Sequence, residues 1–136
     1  MKQNNENTNA FLIHISSFLG FVFPFGGIIS PLIAWQTLKD RSAFLDDQGK
    51  EAVNFNISYS LYIFIASASI LPFLIGNIIN NSHFNIINDH SVFSFFGIAS
   101  IAGFLMILKI ALIFIAAIKA KEGENYHYPF TIKFIK

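Results

Sequence analysis

Acidic and basic side chains are absent from residues 7–38 and 52–88, and from 90–118 apart from Lys109. About 20 predominantly apolar residues cross the ~30 Å hydrocarbon core of a bilayer. Backbone groups inside that core must be satisfied within the chain, which restricts a spanning segment to a helix or a closed barrel. The stretches are continuously apolar and do not alternate, so helices are expected. Only 12% of residues are charged, about half the ~25% usual in soluble domains. The expected fold is therefore an all-α, polytopic membrane helix bundle. It comprises a short broken helical hairpin over about 10–38 and two long transmembrane helices over about 46–76 and 92–119.

The first apolar region is interrupted. Phe23-Pro24-Phe25-Gly26-Gly27 lies at its centre and Ser30-Pro31 follows. Proline removes a backbone donor and clashes with the preceding turn. Paired glycines weaken the helix further, and Ser30 before Pro31 reads as an N-cap followed by an N1 proline. One kinked span and a helical hairpin that dips in and returns both fit. The spacing leans towards the hairpin, and the side on which residue 1 lies depends on the choice.

Around this domain, 10–119, the polar segments are a tail over 1–9, a connector over 36–52 and a second tail over 120–136. The connector carries Asp46 and Lys50 at i,i+4 spacing, a weakly favourable helical pair. From there helix propensity runs without Pro or Gly as far as Leu71, and Pro72 and Gly76 are expected to kink or close the far end. Lys39, Arg41 and Lys50 lie in the connector and Lys119, Lys121, Lys133 and Lys136 in the second tail, whereas the Asn-rich loop 76–91 has neither Lys nor Arg. The positive-inside rule then puts connector and second tail in the cytoplasm. Aromatic residues and lysines over 126–136 suit a cytoplasmic interfacial tail lying along the membrane surface. The expected location is the bacterial inner (cell) membrane, in multi-pass form.

Lys109 is the exception inside the last span. On insertion scales a central Lys costs about 2.5–3.5 kcal/mol and each central Ile, Leu, Phe or Val returns roughly 0.3–0.6. More than a dozen of these surround it, so insertion wins. Snorkelling would still leave the ammonium below the interface. Asp47, Glu51, Asn54, Ser58 and Tyr62 fall within about an 80° arc of the preceding helix, a polar stripe running from the cytoplasm into the membrane. Lys109 is expected to face Tyr62, Ser58 and Asn54 there; the plainer reading has it snorkel past lipid or another subunit. His14 completes the expected polar interior. It is either an interfacial histidine bonded to backbone or, in the hairpin arrangement, a neighbour of Asn54 or Asn56.

Small residues recur in both long helices, and Ala99-x-x-x-Gly103 permits close helix approach. His83, Asp89 and His90 read as a solvated loop and not as metal ligands. Without cysteine, thiolate metal sites and disulfides are excluded. No nucleophile elbow, P-loop, zincin or dinucleotide motif is present. No catalytic, cofactor or metal residues are expected, and no nucleic-acid partner.

Several motifs together resemble a known family. They are His14, Pro24-Phe25-Gly26, Pro31-Leu32-Ile33-Ala34-Trp35, Lys39-Asp40, the run from Asp47-Gln48-Gly49-Lys50-Glu51 to Ala52-Val53-Asn54-Phe55, Ile57-Ser58-Tyr59, and an ending with Gly123-Glu124, Tyr126 and Tyr128-Pro129-Phe130-Thr131-Ile132. The chain resembles the DUF4870 family of small bacterial membrane proteins, which are similar to Tic20, a chloroplast inner-envelope import component. The resemblance implies a four-helix membrane protein with both termini on one side, associated with protein translocation. It favours the hairpin and brings no catalytic residue with it.

Two functional readings follow. The first is a non-enzymatic membrane subunit or scaffold linked to protein translocation or insertion, with the lipid bilayer, other membrane proteins or itself as partners. The second is a small oligomeric transporter or channel using Lys109.

Overall fold

The computed structural model describes residues 2–80 and 89–136. Four α-helices are seen among them: α1 (Lys2–Ser16), α2 (Gly26–Leu38), α3 (Ala43–Asn80) and α4 (Asp89–Glu122). The chain divides into two compact units, Met1–Ser60 with Ile110–Lys136, and Leu61–Lys109.

In the first unit α1 and α2 pack on each other as a hairpin, not as one kinked span. A 3-10 turn, Ser17–Phe21, closes α1. Phe25 then takes a left-handed conformation (φ 63°) at the head of α2. The glycines are what let the two arms meet. A Cβ on Gly20 would stand 2.9 Å from the Gly27 nitrogen, and one on Gly26 2.4 Å from the Leu19 carbonyl oxygen. Helix α2 starts at Gly26 and runs through Pro31, so Ser30-Pro31 is not the helix start expected from the sequence. The backbone bonds from Ile28 and Ile29 to the Phe25 carbonyl have already set the helix going. Helix α1 takes in the polar residues 2–9.

After α2 a short turn, Lys39–Arg41, leads to extended Ser42, whose hydroxyl accepts from the Leu45 N–H at 3.3 Å and caps α3. Helix α3 therefore starts three residues earlier than Asp46. It also stays helical past Pro72 and Gly76 to Asn80. Asp46 and Lys50 form the expected pair, 2.6 Å apart.

Two apolar clusters tie the unit together. Ala10 and Ile13 of α1, Leu45 and Ala52 of α3 and Ala120 of α4 form one. Phe55 of α3, Ile113 and Ala116 of α4 and Tyr128 form the other.

The second unit contains the rest of α3 and the first part of α4. Large apolar side chains in it, among them Phe64, Ile65, Phe96, Ile101, Phe104 and Ile107, are exposed. Among the described residues, a Cβ at Gly97 or Gly103 would meet nothing within 4 Å.

Phe96–Glu122 has the length and apolarity to cross a bilayer, with a mean hydropathy of 2.7 and only 22% of its apolar window buried in protein. A core helix of a soluble protein is mostly buried; this one shows its apolar face outward, as a lipid-facing helix does. Among the described residues it is the one helix that meets these criteria, where two long spans were expected. The expected loop 76–91 begins and ends in helix. Its centre, 81–88, with His83, lies outside the described residues, as do the side chains of Asp89 and His90.

Candidate functional site: a buried polar layer that holds residues 124–136

The polar stripe of α3 is a binding surface for the chain's own segment 124–136. Gln48, Glu51, Asn54 and Ser58 recur every three or four residues, so they share one face of the helix, and all four are buried. Each reaches a different part of that segment.

At the N-terminal end of the stripe, the Gln48 side-chain amide donates to Asn125 Oδ1 at 3.3 Å. Its carbonyl oxygen lies 3.0 Å from His14 Nε2, and His14 Nδ1 lies 2.9 Å from the Tyr128 hydroxyl. The Gln48 oxygen can only accept, so the network assigns the imidazole proton to Nε2. Nδ1 of a neutral ring then accepts from the Tyr128 O–H. His14 is fully buried, which disfavours the charged ring.

Glu51 lies one turn further along. One carboxylate oxygen pairs with His127 Nδ1 at 3.0 Å, and the other accepts from the Tyr128 backbone N–H at 3.3 Å. The Tyr128 ring stacks on Phe55 with centroids 4.0 Å apart, and Tyr126 meets its edge.

Beyond that, Asn54 forms a two-pronged amide clasp. Its nitrogen donates to the Ile135 carbonyl and its oxygen accepts from the Ile135 N–H, both at 2.9 Å. Ser58 accepts from the Ile132 N–H at 2.9 Å and donates to the Asn54 carbonyl at 2.7 Å. Asn56, on the other side of α3, donates to Ser17 Oγ at 2.8 Å and pins the hairpin.

Outside this layer, the Trp35 indole N–H donates to Asp46 Oδ1 at 2.8 Å, and its ring lies over Gly49, where a Cβ would be 2.1 Å from Trp35 Cδ1. The Lys50 ammonium beside Asp46, and then the Trp35 N–H, hold that carboxyl below its ordinary value.

The model of the magnetosome magnetite crystal formation protein family, MamF_MmsF, matches residues 5–135. The chain belongs to that family. No curated protein and no solved structure matches it. The match overturns the DUF4870 and Tic20-like assignment, and the translocation link that came with it has no support. The motifs quoted for that resemblance, from His14 to Ile132, lie within the MamF_MmsF match. The chain is a membrane protein of this family.

Of the residues singled out in the sequence, the structure brings His14 and Glu51 together around Tyr128, and Asn54 and Ser58 along the same face. His14 bonds Gln48 and Tyr128, not Asn54, Asn56 or backbone as expected. Tyr62 and Lys109 lie in the other unit. Sequence reasoning missed Gln48 and Tyr128. Gln48 carries a signal, since it stands three residues before Glu51 on the same face; for Tyr128 the sequence suggests only the headgroup level, a position that tyrosines favour. Among the described residues, no group of three or more His, Asp or Glu side chains is placed to hold a metal ion.

Proposed function

We propose that this MamF_MmsF protein is a non-enzymatic scaffold of a membrane that encloses a growing mineral crystal, acting through its shape and its contacts with lipid, other membrane proteins or further copies of itself. The observation that carries the reading is the closed polar layer. His14, Gln48, Glu51, Asn54 and Ser58 spend their hydrogen-bonding groups on one another and on segment 124–136, which suits a rigid body better than a site for turnover. The family's description supplies the process.

In this reading α3 crosses the bilayer alongside α4, the hairpin dips in from the same side, and connector and segment 120–136 face the cytoplasm. Lys109 pairs within the membrane interior with Tyr62, because Asn54 and Ser58 are occupied by residues 132–135. A double-mutant cycle of Lys109→Met and Tyr62→Phe tests that pairing, and zero coupling removes it.

The functional test is complementation. A magnetite-forming cell deprived of its own family member is given this chain, and crystal size is measured by electron microscopy. Restoration of crystal size supports the scaffold. Chain that reaches the compartment membrane while crystals stay defective refutes it.

A further inference from the structure

The last residues of the matched region do not simply leave the membrane after α4. The span Phe96–Glu122 has 27 residues, about 40 Å at 1.5 Å per residue, some 10 Å more than the hydrocarbon core. Its end therefore overhangs the core by roughly 5 Å if the helix is centred. Tyr128 packs in one cluster with Ile113 and Ala116, which lie about 9–13 Å back along the helix from Glu122. The segment has turned round and runs back beside the span, past the hydrocarbon boundary.

Irregular backbone survives at that depth only when its polar groups are satisfied by protein or water. The α3 stripe does this. Glu51 takes the Tyr128 N–H, Ser58 the Ile132 N–H and Asn54 both groups of Ile135; the Phe134 N–H closes on the Ile132 carbonyl at 3.0 Å. With the backbone bound inward, the apolar side chains point out. Phe130 stands at the turn after Pro129 with φ 59° and is 87% exposed, with Ile132 and Phe134 exposed beside it. A non-glycine residue is held in the left-handed region only where its surroundings impose it. Lys133 and Lys136 are also exposed, the first between the two phenylalanines in sequence and the second after them.

We propose that residues 128–136 form a wedge that enters one leaflet, with Phe130 and Phe134 among the acyl chains and Lys133 and Lys136 on anionic headgroups. The occupant of the surface is lipid: the apolar tip and cationic flanks match the two layers of an anionic leaflet. The wedge rests on α4 crossing the bilayer and not on any part in crystal formation.

The chain has no cysteine, so single spin labels can be placed without altering it elsewhere. Full-length Phe130→Cys, Phe134→Cys, Glu124→Cys and Ile107→Cys proteins, each labelled, go into vesicles of equal phosphatidylcholine and phosphatidylglycerol. Collision rates with oxygen and with a water-soluble nickel complex are then compared. Labels at 130 and 134 are expected to show an oxygen-to-nickel ratio several-fold above that at 124, approaching the ratio at 107. In phosphatidylcholine alone the ratio at 130 falls, and Lys133→Gln with Lys136→Gln removes that lipid dependence. A label at 130 as open to nickel as the one at 124, while 107 reads lipid, overturns the wedge and leaves the span standing. Dipolar broadening at 130 that vanishes on dilution with unlabelled chain also overturns it, because a second copy then covers the surface.

Discussion

Asn54 and Ile135 exchange two hydrogen bonds of 2.9 Å across 81 residues of sequence. A side-chain amide that binds both backbone groups of one residue imitates a strand partner. It holds irregular backbone against a helix without needing a sheet.

Replacing Asn54 with Ala leaves the Ile135 N–H and carbonyl without their partners. Stranding a buried polar group costs ~1–3 kcal/mol. The measurable result is faster proteolytic removal of residues beyond Gly123 in micelles. Adding Ser58→Ala is expected to cost less than the sum of the singles, because the two clasps hold one segment.

Tyr128→Phe keeps the stack on Phe55 and deletes the hydroxyl that His14 Nδ1 meets. The single change is expected to destabilise the protein by ~1–3 kcal/mol. In a cycle with His14→Leu, coupling on the order of 0.5–3 kcal/mol is expected from thermal unfolding in detergent. Independent effects would show that the contact carries no energy.

Gly49→Ala drives a methyl group into the Trp35 ring. The ring must move, and its bond to Asp46 goes with it. Overpacking of this kind costs about 1–3 kcal/mol. Trp35 is the chain's only tryptophan, so its fluorescence reports the displacement directly: a red shift is expected in Gly49→Ala and none in Ala43→Gly.

Asp46 supplies a pH dependence with a definite sign. Its carboxyl is held below the ordinary value of 3.8 by Lys50 and Trp35. The stabilisation is therefore fully present above that value and is lost as pH falls below it through the folded-state value. The pair is partly exposed and contributes little, under ~1 kcal/mol. Trp35 emission is expected to be flat from neutral pH down to about 4 and then to change, and Asp46→Asn is expected to abolish that acid transition.

Much of the fold was legible because membrane burial imposes long-range composition. Charge-free runs marked the helices, and Pro24-Phe25 with the paired glycines marked a break but left a kinked span and a hairpin both open. Helix ends were less legible. Ser42, a local cap, started α3 ahead of Asp46, and Pro72 failed to stop it because proline weakens a helix without always ending it. The stripe itself was visible from spacing, but its occupant was not. Glu51, Asn54 and Ser58 announced a polar face, and Lys109 was the conspicuous candidate to meet it. The observed partners of Asn54 and Ser58 are backbone groups of Ile132 and Ile135, which every residue carries and no motif reveals. The motifs quoted from His14 to Ile132 led to the wrong family, since they lie within the MamF_MmsF match.

The clasp also sets an order of events during synthesis. Asn54 leaves the ribosome 81 residues before the peptide it binds, an interval of roughly 4–16 s at ~5–20 residues per second. Throughout that time the Asn54 amide lacks both of its Ile135 partners, and the Ser58 hydroxyl has the Asn54 carbonyl but not the Ile132 N–H. A nascent chain therefore carries an open polar seam on α3 until residues 132–135 arrive to close it.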